Sequence, residues 1–348
     1  MKKSILIYLS VFNCIVALTK EPELIFSSSV SELNEAFNWS NKNALSFAHD
    51  CTDPVGLWYE AALPNREAFC MRDIAHQSIG GEILRLSNHN YNMLMRFAEN
   101  ISASKDWCTF WEINRYNLPA PVDYVNDEQF WYNLPANFDV VQACYRLYEW
   151  TGDKEYLYNP VLVNFYEKTL NEYVKAWKLE PENLMIRPTH LNTKLPFSDD
   201  TKFNRARGIP SYIESESGFS LAGDLVASIY AAFNAYSEML SIKGDTERVE
   251  SFKNKALEYK SFINDKFWNS KEHHFNLFWS SIEGRFVRND IPMAGETYYV
   301  WFDALETPAK SQITIDRVLE AENNVENLSH LPLLLYKYGM PEKAYEMI

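Results

Sequence analysis

The chain has 348 residues, enough for one large domain or two modest ones with an ample core. Its 33 basic and 47 acidic residues give a net charge of −14, and no basic run occurs, so a nucleic-acid partner is disfavoured. Aromatic residues make up 15% of the sequence, a high share that suits both a helical core and stacking surfaces for a flat ligand face.

The N-terminal segment has the pattern of a secretory signal. Lys2 and Lys3 precede an apolar run that ends near Ala17 and Leu18, and a charged stretch follows. The run is too short for a membrane span, so we predict a signal peptide at 1–19 and a mature chain at 20–348, exported to the periplasm or the outside. We expect no integral membrane segment after cleavage. Export permits disulfides, and the pairing of Cys51 with Cys70 is the one to test.

Apolar residues recurring at helical spacing predict a chain of helices. In chain order these helices cover 30–49, 73–86, 91–102, 135–150, 155–178, 221–240, 245–267, 298–305, 310–320, 331–338 and a last one from 341. A hairpin is predicted at 274–287. No dinucleotide glycine pattern and no solenoid repeat occur in the sequence.

The connections between these helices alternate between short and long. The long ones are rich in aromatic and carboxylate residues and cover 49–71, 105–134, 179–217 and 268–296, with a shorter one at 321–328. Long connections usually carry function, so this alternation predicts a ring of helical hairpins with one loop-rich rim. The fourth and sixth helices are the most apolar and are expected in an inner ring. A ring of six hairpins needs twelve helices, so the last hairpin is expected to be incomplete.

Two short motifs on the predicted rim could carry chemistry. Arg72 and Asp73 end an aromatic loop at a helix start, where the helix dipole stabilises an anion, and together they could bind vicinal sugar hydroxyls. The alternative is an N-cap with a surface salt bridge. Glu214 and Glu216 lie just before Gly218 and an apolar helix, where one could serve as a catalytic acid, or both could form a solvated turn.

These motifs resemble the six-hairpin glycosidases, the (α/α)6 barrels that include glucoamylases, trehalases and α-L-rhamnosidases. The resemblance covers most of the mature chain in architecture and only short motifs in sequence. It implies an all-α fold, an (α/α)6 barrel, with Arg72 and Asp73 as the substrate clamp and Glu214 or Glu216 as the acid. The base of that superfamily often precedes the twelfth helix, which this sequence lacks, so Glu326 is the best candidate within the chain.

Further rim residues complete the predicted site. Glu112, Asp127 and Glu296 are alternatives for the second carboxylate. The remaining candidates for substrate binding are Trp58, Trp111, Glu112, Trp131, Asn133, Arg66 and His190. Convergence of two or more of Arg66, Arg115, Arg187 and His190 would indicate a uronic acid. No metal and no cofactor are expected, and His273 and His274 lack a carboxylate at ligand spacing.

The sequence therefore predicts an exported, exo-acting glycoside hydrolase that works by inversion and whose partner is a carbohydrate. One alternative is an (α/α)-toroid polysaccharide lyase, in which His190, Tyr212 or Asn133 would serve. Another is a glycan-binding protein without catalysis, which would keep the aromatic residues but not need paired carboxylates. The sequence leaves the sugar, the linkage and the oligomeric state open.

Overall fold

The computed structural model describes residues 24–62, 66–189, 207–288 and 291–348. Most of its regular structure is helical. The α-helices are Ser31–Leu45 (α1), Met71–Ile83 (α2), Ser87–Glu99 (α3), Pro135–Thr151 (α4), Glu155–Tyr158 (α5), Pro160–Glu167 (α6), Val174–Ala176 (α7), Gly223–Ile242 (α8), Thr246–Phe262 (α9), Thr297–Trp301 (α10), Pro308–Glu320 (α11), Val325–Lys337 (α12) and Pro341–Glu346 (α13). Two π-helical turns, Lys168–Tyr173 and Ile263–Phe267, extend α6 and α9.

The helices form two concentric layers. In the inner layer α4 packs between α2 and α8, and α10 packs between α8 and α12. The first turn of α12 returns to α2, because Glu326 contacts both Arg72 and His76. In the outer layer α3 packs on α2, α9 on α8, α11 on α10 and α13 on α12. The predicted all-α toroid is thereby confirmed, with α4 and α8 in its inner ring.

The inner position of α8 follows from its small and apolar side chains. Nearly all residues of its first four turns are buried, and its first residue is Gly223. A Cβ at Gly223 would lie 1.7 Å from the hydroxyl of Tyr299, so only glycine allows α8 to approach α10 this closely.

Short strands run through the long connections. They are Ala48–His49 (β1), Trp58–Tyr59 (β2), Ala68–Cys70 (β3), Glu112–Asn114 (β4), Tyr124–Asn126 (β5), Gln129–Phe130 (β6), Tyr132–Asn133 (β7), Arg207–Ile209 (β8), Leu221–Ala222 (β9), Trp268–Asn269 (β10), His274–Phe275 (β11), Phe278–Ser280 (β12) and Arg285–Val287 (β13). Antiparallel β3 and β4 place Cys70 opposite Glu112, next to the start of α2. Parallel β7 and β8 place Asn133 beside Ile209, shortly before Glu214. These pairings gather the loop residues at one end of the inner helices.

The predicted hairpin at 274–287 is divided between two pairings. β11 pairs with β10, whereas β12 pairs with both β13 and β9.

Two helix boundaries differ from the prediction in ways that matter for the site. α12 begins at Val325, because the side chain of Asn324 accepts a hydrogen bond from the backbone N–H of Asn327 at 2.9 Å. Glu326 therefore lies in the first turn of a helix, not in a loop. α1 ends at Leu45, because Ala48 and His49 pair with β2 instead of continuing the helix.

The predicted pairing of Cys51 with Cys70 is wrong. Cys70 is a free, buried thiol that immediately precedes α2 and faces Asp73. Burial raises the pKa of this thiol well above its usual value, so it stays protonated. The predicted signal peptide lies outside the described residues. In the described part of the chain, no helix is both long and apolar enough to pass through a bilayer.

Candidate active site

Arg72 is the centre of the candidate site. It occupies the first turn of α2, where the backbone N–H of Met71 donates to the carbonyl of Trp111 and fixes the helix start against β4. Only 8% of the Arg72 residue is exposed. Its guanidinium carbon lies 5.5 Å from the ring of Trp111 and 5.8 Å from that of Tyr212, which hold the side chain between them.

The guanidinium of Arg72 joins two carboxylates that are far apart in sequence. Nη1 lies 3.3 Å from Oε1 of Glu214. On the other side, Nη2 donates to Oε2 of Glu326 at 3.3 Å, and Nε lies 3.3 Å from its Oε1. Nη1 also donates to the backbone carbonyl of Tyr212 at 3.3 Å. Glu214 and Glu326 are therefore neighbours across one positive group.

Glu214 and Glu216 have different partners. The side-chain amide of Asn133, a buried residue, donates to Oε1 of Glu214 at 2.8 Å. Glu216 forms an ion pair with Arg288 instead. Both carboxylates face the same cavity, but only Glu214 belongs to the cluster around Arg72.

A cavity of about 640 Å³ opens onto this cluster, a volume typical of small-ligand sites. Its walls come from the 212–216 loop, the 291–295 loop and the start of α12. It is lined by Arg72, Tyr212, Ile213, Glu214, Ser215, Glu216, Ile291, Pro292, Met293, Ala294, Gly295, Tyr298, Glu322, Asn323, Asn324, Glu326 and Asn327. Among these lining residues four are acidic and only Arg72 is basic, so carboxylates are the commonest charged groups in the cavity wall.

Glu326 is held in its ionised form. In addition to Arg72, Nδ1 of His76 lies 3.2 Å from its Oε1, and the hydroxyl of Tyr298 donates to the same oxygen at 3.3 Å. Burial alone would raise the pKa of Glu326, but the positive charges of Arg72 and His76 outweigh burial and hold it well below the usual range. At neutral pH this carboxylate can accept a proton but has none to donate.

His76, Asp139 and Tyr298 also belong to this cluster, although none of them was predicted as a site residue. His76 follows Arg72 by four residues on α2, so the two side chains share one face of the helix. That spacing was visible in the sequence. Asp139 is a buried carboxylate within the apolar helix α4, and it accepts a hydrogen bond from the hydroxyl of Tyr212. The position of Asp139, a charged residue among apolar ones, was also a signal in the sequence. No pattern near Tyr298 indicated that it belongs to the site.

Asp224 supports the loop that carries Glu214. It lies at the start of α8, fully buried, and accepts hydrogen bonds from the hydroxyl of Ser211 at 2.7 Å and the backbone N–H of Tyr212 at 3.2 Å. Burial raises its pKa to about 7. These contacts fix the turn at 211–212 relative to the inner ring.

The other predicted residues around the start of α2 occupy different positions. Asp73 lies beside Cys70 and Arg72 but does not line the cavity, and burial raises its pKa. Glu112 is buried and paired with Arg66, and burial together with Asp123 raises its pKa to about 7.

The predicted stacking residues are largely enclosed. Trp58 is completely buried, stacked on His49 at 4.1 Å, and its indole N–H donates to Asp53 at 2.8 Å. It therefore has no free face to offer a ligand. Trp111 and Trp131 are also buried, although Trp111 faces Arg72. His190 lies outside the described residues.

Within the described ranges, no group of three or more His, Cys, Asp or Glu side chains could hold a metal ion. The chemistry that the cluster itself offers is that of carboxylates, one guanidinium and one imidazole.

No protein-family model matches the chain, and no curated protein matches it either. Solved structures do. A rhamnosidase from Klebsiella oxytoca with rhamnose bound superposes with a TM-score of 0.60 at 12% identity, covering 92% of this chain and 55% of that one. A rhamnosidase of family GH78 from Bacillus sp. GL1 gives a TM-score of 0.60 at 10% identity, covering 92% and 30%. This chain thus spans about half or less of the length of these two rhamnosidases.

A metal-independent α-mannosidase from Streptococcus pneumoniae, in a non-productive complex with α-1,6-mannobiose, gives a TM-score of 0.62 at 14% identity, covering 91% of this chain and 84% of that one. A glycosidase variant in complex with glucose gives 0.62 at 9% identity, covering 93% and 84%. At such identities the likeness concerns the fold alone. Together with the observed ring of helices, it confirms the predicted resemblance at the level of the fold: the chain is an (α/α) toroid like these glycosidases.

Proposed function

We propose that this protein is a glycoside hydrolase that cleaves O-glycosidic bonds with Glu214 and Glu326. The observation that carries the proposal is the placement of these two carboxylates on either side of Arg72 at the wall of one cavity. Glycoside cleavage needs one carboxylic acid to protonate the leaving oxygen and a second carboxylate to activate water or attack directly. The glycosidase fold supports the same reading.

The environments of the two carboxylates assign their roles. Glu326 has two positive neighbours and stays ionised, so we assign it as the base. Glu214 accepts from a neutral amide, and the one positive side chain that contacts it among the described residues, Arg72, is shared with Glu326, so we assign Glu214 as the acid. Since both touch one guanidinium, their nearest oxygens lie no more than roughly 9 Å apart, which includes the separation of inverting enzymes, about 6.5–9.5 Å. The shorter carboxylate separation of retaining enzymes also lies within this limit, so the anomeric configuration of the product has to be measured.

The positions of three arginines favour a neutral sugar over a uronic acid. Arg66 pairs with Glu112, and Arg115 pairs with Asp53. Arg187 is buried and donates to the backbone carbonyl of Ser220 at 2.8 Å. None of these three arginines lines the cavity, so none of them is placed to bind the carboxylate of a uronic acid there.

The lyase alternative receives little support from Tyr212. A tyrosine base must lose its proton, but the hydroxyl of Tyr212 donates to Asp139. Burial and the Asp139 carboxylate raise the pKa of Tyr212 well above its usual value, which keeps the phenol neutral.

Export and exo-action are parts of the same proposal. Export is supported by the basic and apolar start of the sequence. Exo-action is supported by the cavity volume, which suits a small ligand better than a long stretch of polysaccharide.

The test is release of nitrophenol from neutral 4-nitrophenyl glycosides, among them the α-rhamnoside, α-mannoside and α-glucoside, and from the β-glucuronide. We expect turnover of a neutral glycoside and a loss of at least about 100-fold in kcat for Glu326→Gln. Nitrophenolate leaves with little help from an acid, so for Glu214→Gln we expect a loss of that size on the corresponding methyl glycoside and a smaller one on the nitrophenyl glycoside. Glu250→Gln, an exposed position on α9, is the matched control and should keep wild-type activity. Full activity in both site variants would refute the assignment.

Two further readouts separate the alternatives. Proton NMR of the first product formed distinguishes inversion from retention. An unsaturated product absorbing in the near ultraviolet would indicate a lyase, and calorimetric binding of a sugar without any product would indicate a glycan-binding protein.

A further inference from the structure

The imidazole of His76 lies between two carboxylates from different helices. Its Nδ1 lies 3.2 Å from Oε1 of Glu326 on α12, and its Nε2 lies 3.7 Å from Oδ2 of Asp139 on α4. A neutral imidazole would turn a lone pair toward one of these anions, whereas an imidazolium presents an N–H to each. The geometry therefore suits the charged form of His76.

The surroundings hold this ring in one orientation. The ring of Tyr212 stacks on that of Tyr298 at 3.6 Å, and both lie within 6 Å of the His76 ring. Asp139 is fixed in turn, because one of its oxygens accepts from the hydroxyl of Tyr212. The 8% exposure of the His76 side chain leaves little room for another rotamer.

Other ionisable groups also face His76 and Glu326 from the packed elements. They are Arg72 and Asp73 on α2, Asp139 on α4, Tyr212 in the 211–216 loop, Tyr298 on α10 and His330 on α12. His330 is perpendicular to His76 at 5.1 Å, and burial together with the charge of His76 lowers its pKa to about 4. Although burial by itself lowers the pKa of His76, the carboxylates of Asp139 and Glu326 outweigh it and raise that pKa to about 9. Of the two neighbouring histidines, His76 is therefore the one that is protonated, and His330 is neutral.

We propose that His76 is a positioning residue whose imidazolium, anchored by Asp139, keeps Glu326 ionised and aimed into the cavity. Arg72 does the same from the other side, so Glu326 is fixed by two cations that share one face of α2. This role rests on the proposed function, in which Glu326 is the base.

The activity test compares the pH dependence of kcat/KM for wild type, His76→Gln and His330→Gln. Glutamine is close in size to histidine and can donate to Glu326, but it carries no charge. We expect the acidic limb, which reports Glu326, to move upward by about 1–3 pH units in His76→Gln, with a larger change in kcat than in KM. His330→Gln is the matched control. Nδ1 of His330 lies 2.8 Å from the backbone carbonyl of Glu326, so this variant disturbs α12 without removing a charge.

The results test the role of His76 separately from the proposed glycoside hydrolase activity. An acidic limb that stays in place in a folded His76→Gln variant, or that moves equally in His330→Gln, would overturn the role of His76. The second measurement needs no substrate: NMR titration of histidine-labelled protein should give His76 a midpoint above about pH 8 that falls by about one unit or more in Glu326→Gln. A midpoint near the ordinary histidine value of 6.5 would overturn the inference even if the enzyme is active. A raised midpoint in a protein that hydrolyses no glycoside would refute only the proposed function.

Discussion

Replacing Arg72 by methionine tests whether this guanidinium unites the site. The substitution removes the positive group that contacts Glu214, Glu326 and the carbonyl of Tyr212, while it keeps most of the apolar stem. Removing one partner of a buried ion pair typically costs about 3–5 kcal/mol. Here Glu214 would lose its guanidinium partner, and Glu326 would keep only His76 as a positive partner. We therefore expect the free energy of unfolding of Arg72→Met to fall by about 3–5 kcal/mol.

Arg72→Lys separates charge from geometry. A lysine ammonium is a compact charge that cannot reach both carboxylates and the carbonyl as the planar guanidinium does, and each lost charged hydrogen bond is worth about 1.5–3 kcal/mol. We expect a loss in unfolding free energy between that of the methionine variant and that of wild type. The measurement is urea unfolding followed by tryptophan fluorescence and by circular dichroism, whose transitions should coincide.

Arg248→Met provides the surface comparison. Arg248 pairs with Asp245 at 2.7 Å and also with Glu167, but 41% of its side chain is exposed. Pairs of this kind contribute at most about 1 kcal/mol. If Arg72→Met costs no more than this surface variant, Arg72 does not hold the two carboxylates together, and the argument for a coupled site fails.

Two further predictions concern the packing of the ring and its pH dependence. Gly223→Ala should destabilise the protein by about 1–3 kcal/mol, because the new methyl group would collide with the hydroxyl of Tyr299. Gly80→Ala, in an exposed part of α2 with no atom within 4 Å of the new Cβ, should instead stabilise it by about 0.5–1 kcal/mol. Equal effects of the two alanines in urea unfolding would contradict the close approach of α8 and α10. The raised pKa of His76, from 6.5 to about 9, contributes about 3 kcal/mol that is fully present below pH 6.5 and is lost as the pH rises through 9. The stability difference between wild type and His76→Gln should thus be larger at pH 6 than at pH 10, and an equal difference at both would refute the charged state.

Much of the local structure was readable from the sequence. The apolar spacing in α4 and α8 predicts their extents to within about two residues, since burial of one face imposes a period of 3.6 residues on any helix. The predicted start of the second helix at Asp73 lies two residues after the observed start of α2 at Met71. The predicted start of α12, at 331, is six residues too late, because the cap by Asn324 begins the helix at Val325 without any apolar periodicity. The short strands were not predicted, because two or three residues are too few to show a period of alternation.

What the sequence determined by itself was the succession of helices, the alternation of short and long connections, and the residue types available on one rim. Those features depend on neighbours along the chain. Only the tertiary structure decided that Trp58 lies in the core, that Glu216 pairs with Arg288, and that Glu326 contacts His76 at a sequence separation of 250. Contacts of that kind depend on how the inner helices close into a ring, and no local pattern of side chains encodes that distance.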